Sequence, residues 1–230
     1  MTFKKSIKFP LILVNLKSYY ETIGSKAEEL TKIAEEVADS TGVCIGIAPQ
    51  YMDLRQIDRF RIPVFSQHID PILPGAHTGH VLAESVSATG AVGAILNHSE
   101  RRLELSSIEM IVERLRSLGL ISVVCASSLR VAMAVASLDP DMVAIEPPEL
   151  IGSGIAVSKA KPEVVSGSVE AIKRINSRIV VLCGAGISSG SDVHAAIQLG
   201  TSGVLVASGI VKAPDWKKAL LDLATSAAET

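Results

Sequence analysis

The strongest constraint on this chain is an alternation. Short apolar runs stand at 11–16 (LILVNL), 43–48 (VCIGIA), 63–67 (PVFSQ), 91–97 (AVGAILN), 120–126 (LISVVCA), 141–146 (DMVAIE), 178–184 (RIVVLCG) and 202–208 (SGVLVAS), eight in all. Most are followed by a segment with helical periodicity, such as SKAEELTKIAEEVADS, LSSIEMIVERLRSLG, KPEVVSGSVEAIKRIN or SSGSDVHAAIQLG. Pro162 and Glu163 read as a first helical turn, and Gly119 and Gly200 read as helix stops. Strands that are apolar on both faces belong in a parallel sheet covered by helices. Eight such units in 230 residues, with no long linker, predict one α/β domain over 1–230, a closed (β/α)8 TIM barrel. An open doubly wound sheet is the alternative topology, but its dinucleotide-binding form is disfavoured because the first turn, NLKSYYETIG, lacks GxGxxG.

Composition narrows the partners. A hydrophobic content of 48% supplies a large core, and a formal net charge of -2 with scattered charges offers no basic stripe for nucleic acid and no cationic amphipathic segment for a membrane surface. No window reaches the length of a membrane span, and the LILV run near the N-terminus is too short for a signal-peptide core. Cys44, Cys125 and Cys183 form an odd set without CxxC, each in or at the end of an apolar run, and read as inert thiols of a reducing, cytoplasmic compartment. The expected partner is a small molecule or another subunit.

In a barrel of this type the chemistry sits at the C-terminal ends of the strands. The first run ends in Asn15-Leu16-Lys17, the fourth in Asn97-His98-Ser99-Glu100-Arg101-Arg102, and the sixth in Glu146-Pro147-Pro148. Asn15 and Lys17 share a face because strand side chains alternate. Taken singly, Glu146 reads as a solvated acid, His98 as a surface imidazole and Lys17 as a snorkelling cation. Taken together on three strand ends, they are the set that removes a proton beside a carbonyl: a base, a hydrogen-bond donor to the oxygen, and positive charge where an enediolate forms. After the seventh and eighth runs, Cys183-Gly184-Ala185-Gly186-Ile187 and Ala207-Ser208-Gly209 are small enough for backbone N–H groups to approach an anion, which points to a phosphate ester.

The combination NLK, NHSERR, EPPELIGSG, CGAGIS and VLVASG, spread in order over essentially the whole chain, resembles the triosephosphate isomerase family, and specifically its shorter archaeal-type branch. The resemblance implies interconversion of dihydroxyacetone phosphate and D-glyceraldehyde 3-phosphate in glycolysis and gluconeogenesis, without cofactor or metal. It implies Glu146 as the base, His98 as a neutral electrophile, Lys17 as positive charge, Asn15 as an orienting group and Glu100 as the residue that fixes Lys17. A short helix opening at Ser99-Glu100-Arg101-Arg102 is expected to direct its positive end at His98. Pro147 and Pro148 would stiffen a lid over 148–157, with Gly152 and Gly154 at its tip. Ile151, Gly152, Gly184, Gly186, Ala207 and Ser208 would hold the phosphate. Longer family members usually carry serine at the Gly186 position and glycine at Ala207 and Ser208, which leaves backbone donors as the shared element.

Loop 74–80, PGAHTGH, is similar to the family segment that reaches into a neighbouring subunit, although it ends TGH where longer members end TGE. His68, Asp70, His77 and His80 have ligand chemistry, but a loop gives them no fixed register, so no metal site is expected. The chain is shorter than the roughly 250 residues of a usual barrel. Segments 98–119 and 126–140 leave little room for full fourth and fifth helices. In the archaeal-type branch this shortening accompanies tetramers, so the resemblance implies a homotetramer, with a dimer as the alternative. Two other functions fit parts of the pattern: a phosphosugar aldolase using Lys17 as a Schiff-base nucleophile, and a non-catalytic scaffold binding through loop 74–80.

Overall fold

The structure, a computed structural model, describes residues 7–147 and 156–230. Its framework is eight parallel strands: β1 (Leu11–Asn15), β2 (Cys44–Ala48), β3 (Phe65–Ser66), β4 (Gly93–Leu96), β5 (Ile121–Ala126), β6 (Met142–Ile145), β7 (Val180–Gly184) and β8 (Gly203–Val206). Their order, β2-β1-β8-β7-β6-β5-β4-β3, is that of a barrel opened between β2 and β3. That seam is crossed by a parallel bridge between Ile47 and Val64, with the Ile47 N–H donating to the Pro63 carbonyl at 3.0 Å. The closed (β/α)8 topology therefore prevails over the open sheet.

Strand alternation divides the apolar residues between two layers. Leu11, Leu13, Phe65, Ile95, Val123, Cys125, Met142, Ala144, Leu182 and Leu205 fill the barrel interior. Ile12, Val14, Ile45, Ile47, Leu96, Val124, Val143, Ile145, Val181 and Val204 face the helices. Burying each large side chain contributes on the order of 1.5–3 kcal/mol, which keeps both strand faces largely apolar; Ser122 within β5 is buried with its hydroxyl bonded to the Asp141 carboxylate at 2.9 Å.

The helices are α1 (Ser25–Thr41), α2 (Leu54–Ile57), α3 (Ala83–Ala88), α4 (Leu105–Ser117), α5 (Leu129–Ala136), α6 (Val157–Ala160), α7 (Pro162–Ile175), α8 (Gly190–Gln198), α9 (Ser208–Val211) and α10 (Trp216–Ala228). α1 buries Ala27, Leu30, Thr31, Ala34 and Val37, an i, i+3, i+4 stripe, and ends where the left-handed Gly42 returns its N–H to the Ala38 carbonyl. α7 begins with Pro162 at its first position, and α8 begins with a capping box in which the Ser189 side chain and the Asp192 carboxylate satisfy each other's backbone N–H groups.

Shortening falls differently from the expectation. α5 has 8 residues, as expected of a reduced unit, but α4 runs for 13, from Leu105 to Ser117, and is not shortened. Among the described residues the shortest helices are α2, α6 and α9, with 4 residues each, followed by α3 with 6. Among the described residues, no helix is long and apolar enough to cross a membrane.

Candidate active site

The parity that fills the interior also selects what appears at its mouth. Asn15 continues the series Leu11, Leu13, and Glu146 continues Met142, Ala144, so both side chains emerge on the barrel axis where the apolar layers end. Glu146 is 4% exposed and His98 8% exposed, and His98 Nε2 lies 3.7 Å from Glu146 Oε2, beyond a hydrogen bond but facing one cavity. That cavity is lined by Asn15, Lys17, Tyr19, His98 and Glu146 on one side and by Ala185, Gly186, Ile187, Ala207 and Ser208 on the other.

Lys17 is held by its backbone as much as by its charge. Its φ of 47° is left-handed, a conformation costing a non-glycine residue about 1–3 kcal/mol unless neighbours impose it. Asn15 Oδ1 accepts the Lys17 N–H at 3.0 Å, and Gln67 Nε2 donates to the Lys17 carbonyl at 2.9 Å and to the Ala48 carbonyl at 3.0 Å. The result directs Lys17 Nζ to Glu100 Oε1 at 2.8 Å.

The expected helix over Ser99–Arg102 does not form. Residues 99–101 make a turn in which the Arg101 N–H closes on the His98 carbonyl at 2.8 Å, and α4 begins only at Leu105. The Glu100 N–H turns away from the helical direction and donates to His98 Nδ1 at 3.2 Å. One local hydrogen bond thus takes the place of a helix terminus. A donor facing Nδ1 selects the tautomer with its proton on Nε2, the nitrogen that faces the cavity.

Gly184 stands beside Glu146 on the neighbouring strand, one step past the Ile145–Cys183 register pair. It lies against the Glu146 side chain, while Gly186, Ala207 and Ser208 line the cavity itself. Ala185 and Gly186 both have positive φ, 72° and 74°, so the chain after β7 is turned sharply toward the cavity. Gly209 brings the loops after β7 and β8 together, since a Cβ there would lie 2.4 Å from the Ile187 carbonyl oxygen. The N–H groups of Ser208 and Gly209 open α9 and have no intrahelical acceptor. Ile151 and Gly152, and the expected lid apart from Ala156 and Val157, lie outside the described residues. Val157 opens α6, and its N–H donates to the Ala185 carbonyl at 3.3 Å.

The remaining candidates separate from this cluster. His68 Nε2 and Asp70 Oδ1 are 3.0 Å apart, Asp70 also accepts the Val81 N–H at 2.7 Å, and Arg101 reaches Asp70 at 3.2 Å, so this group ties down the base of loop 71–80. His77 and His80 pack ring edge to ring face with centroids 5.8 Å apart. Among the described residues, no three potential ligands gather around a metal position. Burial raises all three thiols: Cys44 upward, Cys183 to about 12, and Cys125 well above the usual value, with the Glu146 carboxylate adding to the last. None is in the thiolate form at neutral pH.

Sequence reading passed over two residues that the structure draws in. Gln67 ends the third apolar run, so strand-end logic applied to every run would have marked it. Asn97 was visible beside His98, but its left-handed φ of 56° and its two hydrogen bonds were not legible in the sequence.

The family model described as triosephosphate isomerase matches residues 10–226. The protein named triosephosphate isomerase of Methanocaldococcus jannaschii is 52% identical over 214 residues, covering 93% of this chain and 98% of its own. The proteins of that name from Methanothermus fervidus and Archaeoglobus fulgidus are 53% and 51% identical, each covering 94% of this chain, and 98% and 97% of their own.

Proposed function

The chain belongs to the triosephosphate isomerase family and interconverts dihydroxyacetone phosphate and D-glyceraldehyde 3-phosphate, and from that premise we propose that Glu146 is the base that moves the proton. Glu146 takes a proton from C1 of dihydroxyacetone phosphate, and the electron pair of that C–H bond forms the enediolate double bond. The carbonyl oxygen gains negative charge, which the proton on His98 Nε2 and the charge of Lys17 stabilise. The C1 hydroxyl proton passes to the C2 oxygen by way of His98 Nε2, and the protonated Glu146 returns its proton to C2, which leaves a hydroxyl on C2 and the aldehyde at C1. Asn15 orients the substrate oxygen, and Glu100 fixes Lys17 through the 2.8 Å contact between them. Backbone groups of Gly186, Ala207 and Ser208, together with Ile151, Gly152 and the turn at Gly184, hold the phosphate. No cofactor or metal takes part.

The observation that carries this reading is the 3.7 Å approach of His98 Nε2 to Glu146 Oε2 at the rim of one cavity, each largely out of water. A base and a carbonyl-polarising group that close flank a single small substrate, and the low exposure strengthens both interactions. The aldolase alternative loses support because the Lys17 ammonium is committed to Glu100 rather than placed among cations that would free it as an amine. Isomerisation of glyceraldehyde 3-phosphate, followed through coupled NADH oxidation, tests the assignment. Glu146→Gln is expected to lose several orders of magnitude in kcat, and equal activity in the two proteins would remove Glu146 from the role.

The finer reading is of one domain that works in the cytoplasm, in glycolysis and gluconeogenesis, as a homotetramer. What supports assembly is an uncovered apolar face: Leu129 and Met133, one turn apart on α5, are 40% and 44% exposed, and Leu105 and Met110 are exposed on the neighbouring α4.

A further inference from the structure

We propose that Asn97 is a positioning residue that sets the geometry between His98 and Glu146. The proposal rests on the reading of His98 as the group that polarises the substrate carbonyl. β4 ends at Leu96, which pairs with Val124, so Asn97 is the residue at which the chain leaves the sheet opposite Cys125. Its backbone turns left-handed there, with φ 56°. Its side chain stays behind: Nδ2 donates to the Cys125 carbonyl at 3.0 Å, prolonging the β4–β5 ladder by one rung after the backbone has departed. Oδ1 accepts the Leu103 N–H at 2.9 Å, at the far end of the loop that carries His98.

One amide therefore closes both ends of the segment 98–102 and anchors it to β5. The amide orientation follows from the partners, since a carbonyl can only accept and an N–H can only donate. β5 in turn carries β6, where the Glu146 N–H donates to the Ala126 carbonyl at 2.8 Å. The path from His98 through Asn97 and the ends of β5 and β6 to Glu146 is continuous, and the 3.7 Å separation of the two reacting groups is its end point.

Few side chains meet the three demands at once. Glycine adopts the left-handed turn but makes neither hydrogen bond. Aspartate tolerates the turn and accepts from Leu103 but has nothing to donate to Cys125. Leucine or alanine at φ 56° is strained and makes neither contact. Asparagine meets all three, and it does so without touching the cavity that takes the substrate, whose lining does not include it.

Asn97→Gly retains the turn and removes both hydrogen bonds, so it isolates the positioning effect from backbone strain. In the 230-residue chain, kcat is expected to fall by about tenfold to a hundredfold, the scale of a misplacement near 1 Å, with KM changing much less. The infrared carbonyl band of bound dihydroxyacetone phosphate is expected to move toward its position in free solution, a readout that loss of stability alone does not shift. Asn97→Asp, which keeps the Leu103 contact only, is expected to fall between wild type and Asn97→Gly and carries the test if the glycine variant does not fold. Folded variants with wild-type kcat and an unshifted band would overturn the proposal. His98→Gln belongs in the same series: if it too leaves rate and band unchanged, the reading of His98 fails, whereas a silent Asn97→Gly beside a strongly affected His98→Gln removes Asn97 alone.

Discussion

Gly184, the last residue of β7, and Glu146, the residue just past β6, are side by side with no room for another atom between them. A Cβ on Gly184 would stand 2.5 Å from Glu146 Cγ and 2.7 Å from Oε1, closer than side chains approach. Gly184→Ala is therefore expected to push the carboxylate off its line toward substrate and lower kcat by about a hundredfold. The overpacking costs about 1–3 kcal/mol, so the variant still folds and its thermal unfolding can be followed by circular dichroism. A variant with full activity would show that Glu146 has freedom to move elsewhere at no cost to the chemistry.

Lys17 is 11% exposed and its partner Glu100 is 57% exposed, so their 2.8 Å contact joins a shielded cation to a solvated anion. Such a pair contributes under about 1 kcal/mol to stability. Glu100→Gln should leave the unfolding temperature nearly unchanged and lower kcat/KM, while Lys17→Met should lower kcat/KM further, by about 10²–10³. Steady-state kinetics beside a melting curve separates the two quantities. A large drop in stability with unchanged kinetics in Glu100→Gln would make the contact a structural one.

How much of this was legible beforehand depended on how far each feature is written in local pattern. The eight strands were visible because each is apolar on both faces, and Asn15, His98 and Glu146 were visible because each breaks an apolar run at its end. The Ser99–Arg102 helix was misread because acidic and basic residues after a possible cap look the same in a turn as in a helix, and the Glu100 N–H has a stronger local acceptor in His98 Nδ1. Gly184 reads in the sequence as a phosphate residue; that its missing Cβ also makes room for Glu146 was not legible, because sequence shows that a glycine is small but not which neighbour needs the space. Asn97 and Gln67 act through amides bonded to backbone groups that are distant in sequence, Cys125 and Leu103 for the one, Lys17 and Ala48 for the other. Composition and periodicity carry no trace of those pairings.

If backbone N–H groups hold the phosphate, side-chain changes and backbone changes in the same loop should differ. Ser208→Ala removes a hydroxyl but keeps the N–H, and KM should stay near the wild-type value. Gly209→Ala forces a Cβ to within 2.4 Å of the Ile187 carbonyl oxygen, separates the two loops, and should raise KM by about tenfold or more, the scale of one lost charge-assisted hydrogen bond. The reverse order of effects would assign the contact to the Ser208 hydroxyl.

Assembly through α4 and α5 makes a concentration-dependent prediction. The wild-type protein should sediment as a tetramer at micromolar concentration, and Leu129→Glu with Met133→Glu, which places two charges on the exposed stripe, should shift it to smaller species with circular dichroism preserved. A monomeric wild type would end the tetramer reading, and a tetrameric double variant would move the interface elsewhere.

Acid stability follows from groups outside the cavity. Burial disfavours the imidazolium of His68 enough to lower its pKa below the usual 6.5, despite the opposing pull of Asp70. The unfolded chain therefore binds a proton at His68 more readily than the folded chain, and stability falls as pH drops below about 6.5 toward the folded value. Asp70 and Asp192 shift below the usual 3.8: burial pushes each up, but the Val81 N–H, His68 and Arg101 outweigh it for Asp70, and Lys159 with the Ser188 N–H and Ser189 outweighs it for Asp192. Their contribution is present above the unfolded value and is lost as pH falls through the folded one, so all three groups act in the same direction. Melting temperatures measured from pH 8 to pH 3 should decline in two stages, the first opening near 6.5 and the second near 4. His68→Gln, which cannot titrate, should flatten the first stage, while the second stage keeps its Asp192 contribution and loses only the part of the Asp70 contribution that His68 supplies. An unchanged first stage in that variant would place its source in another histidine.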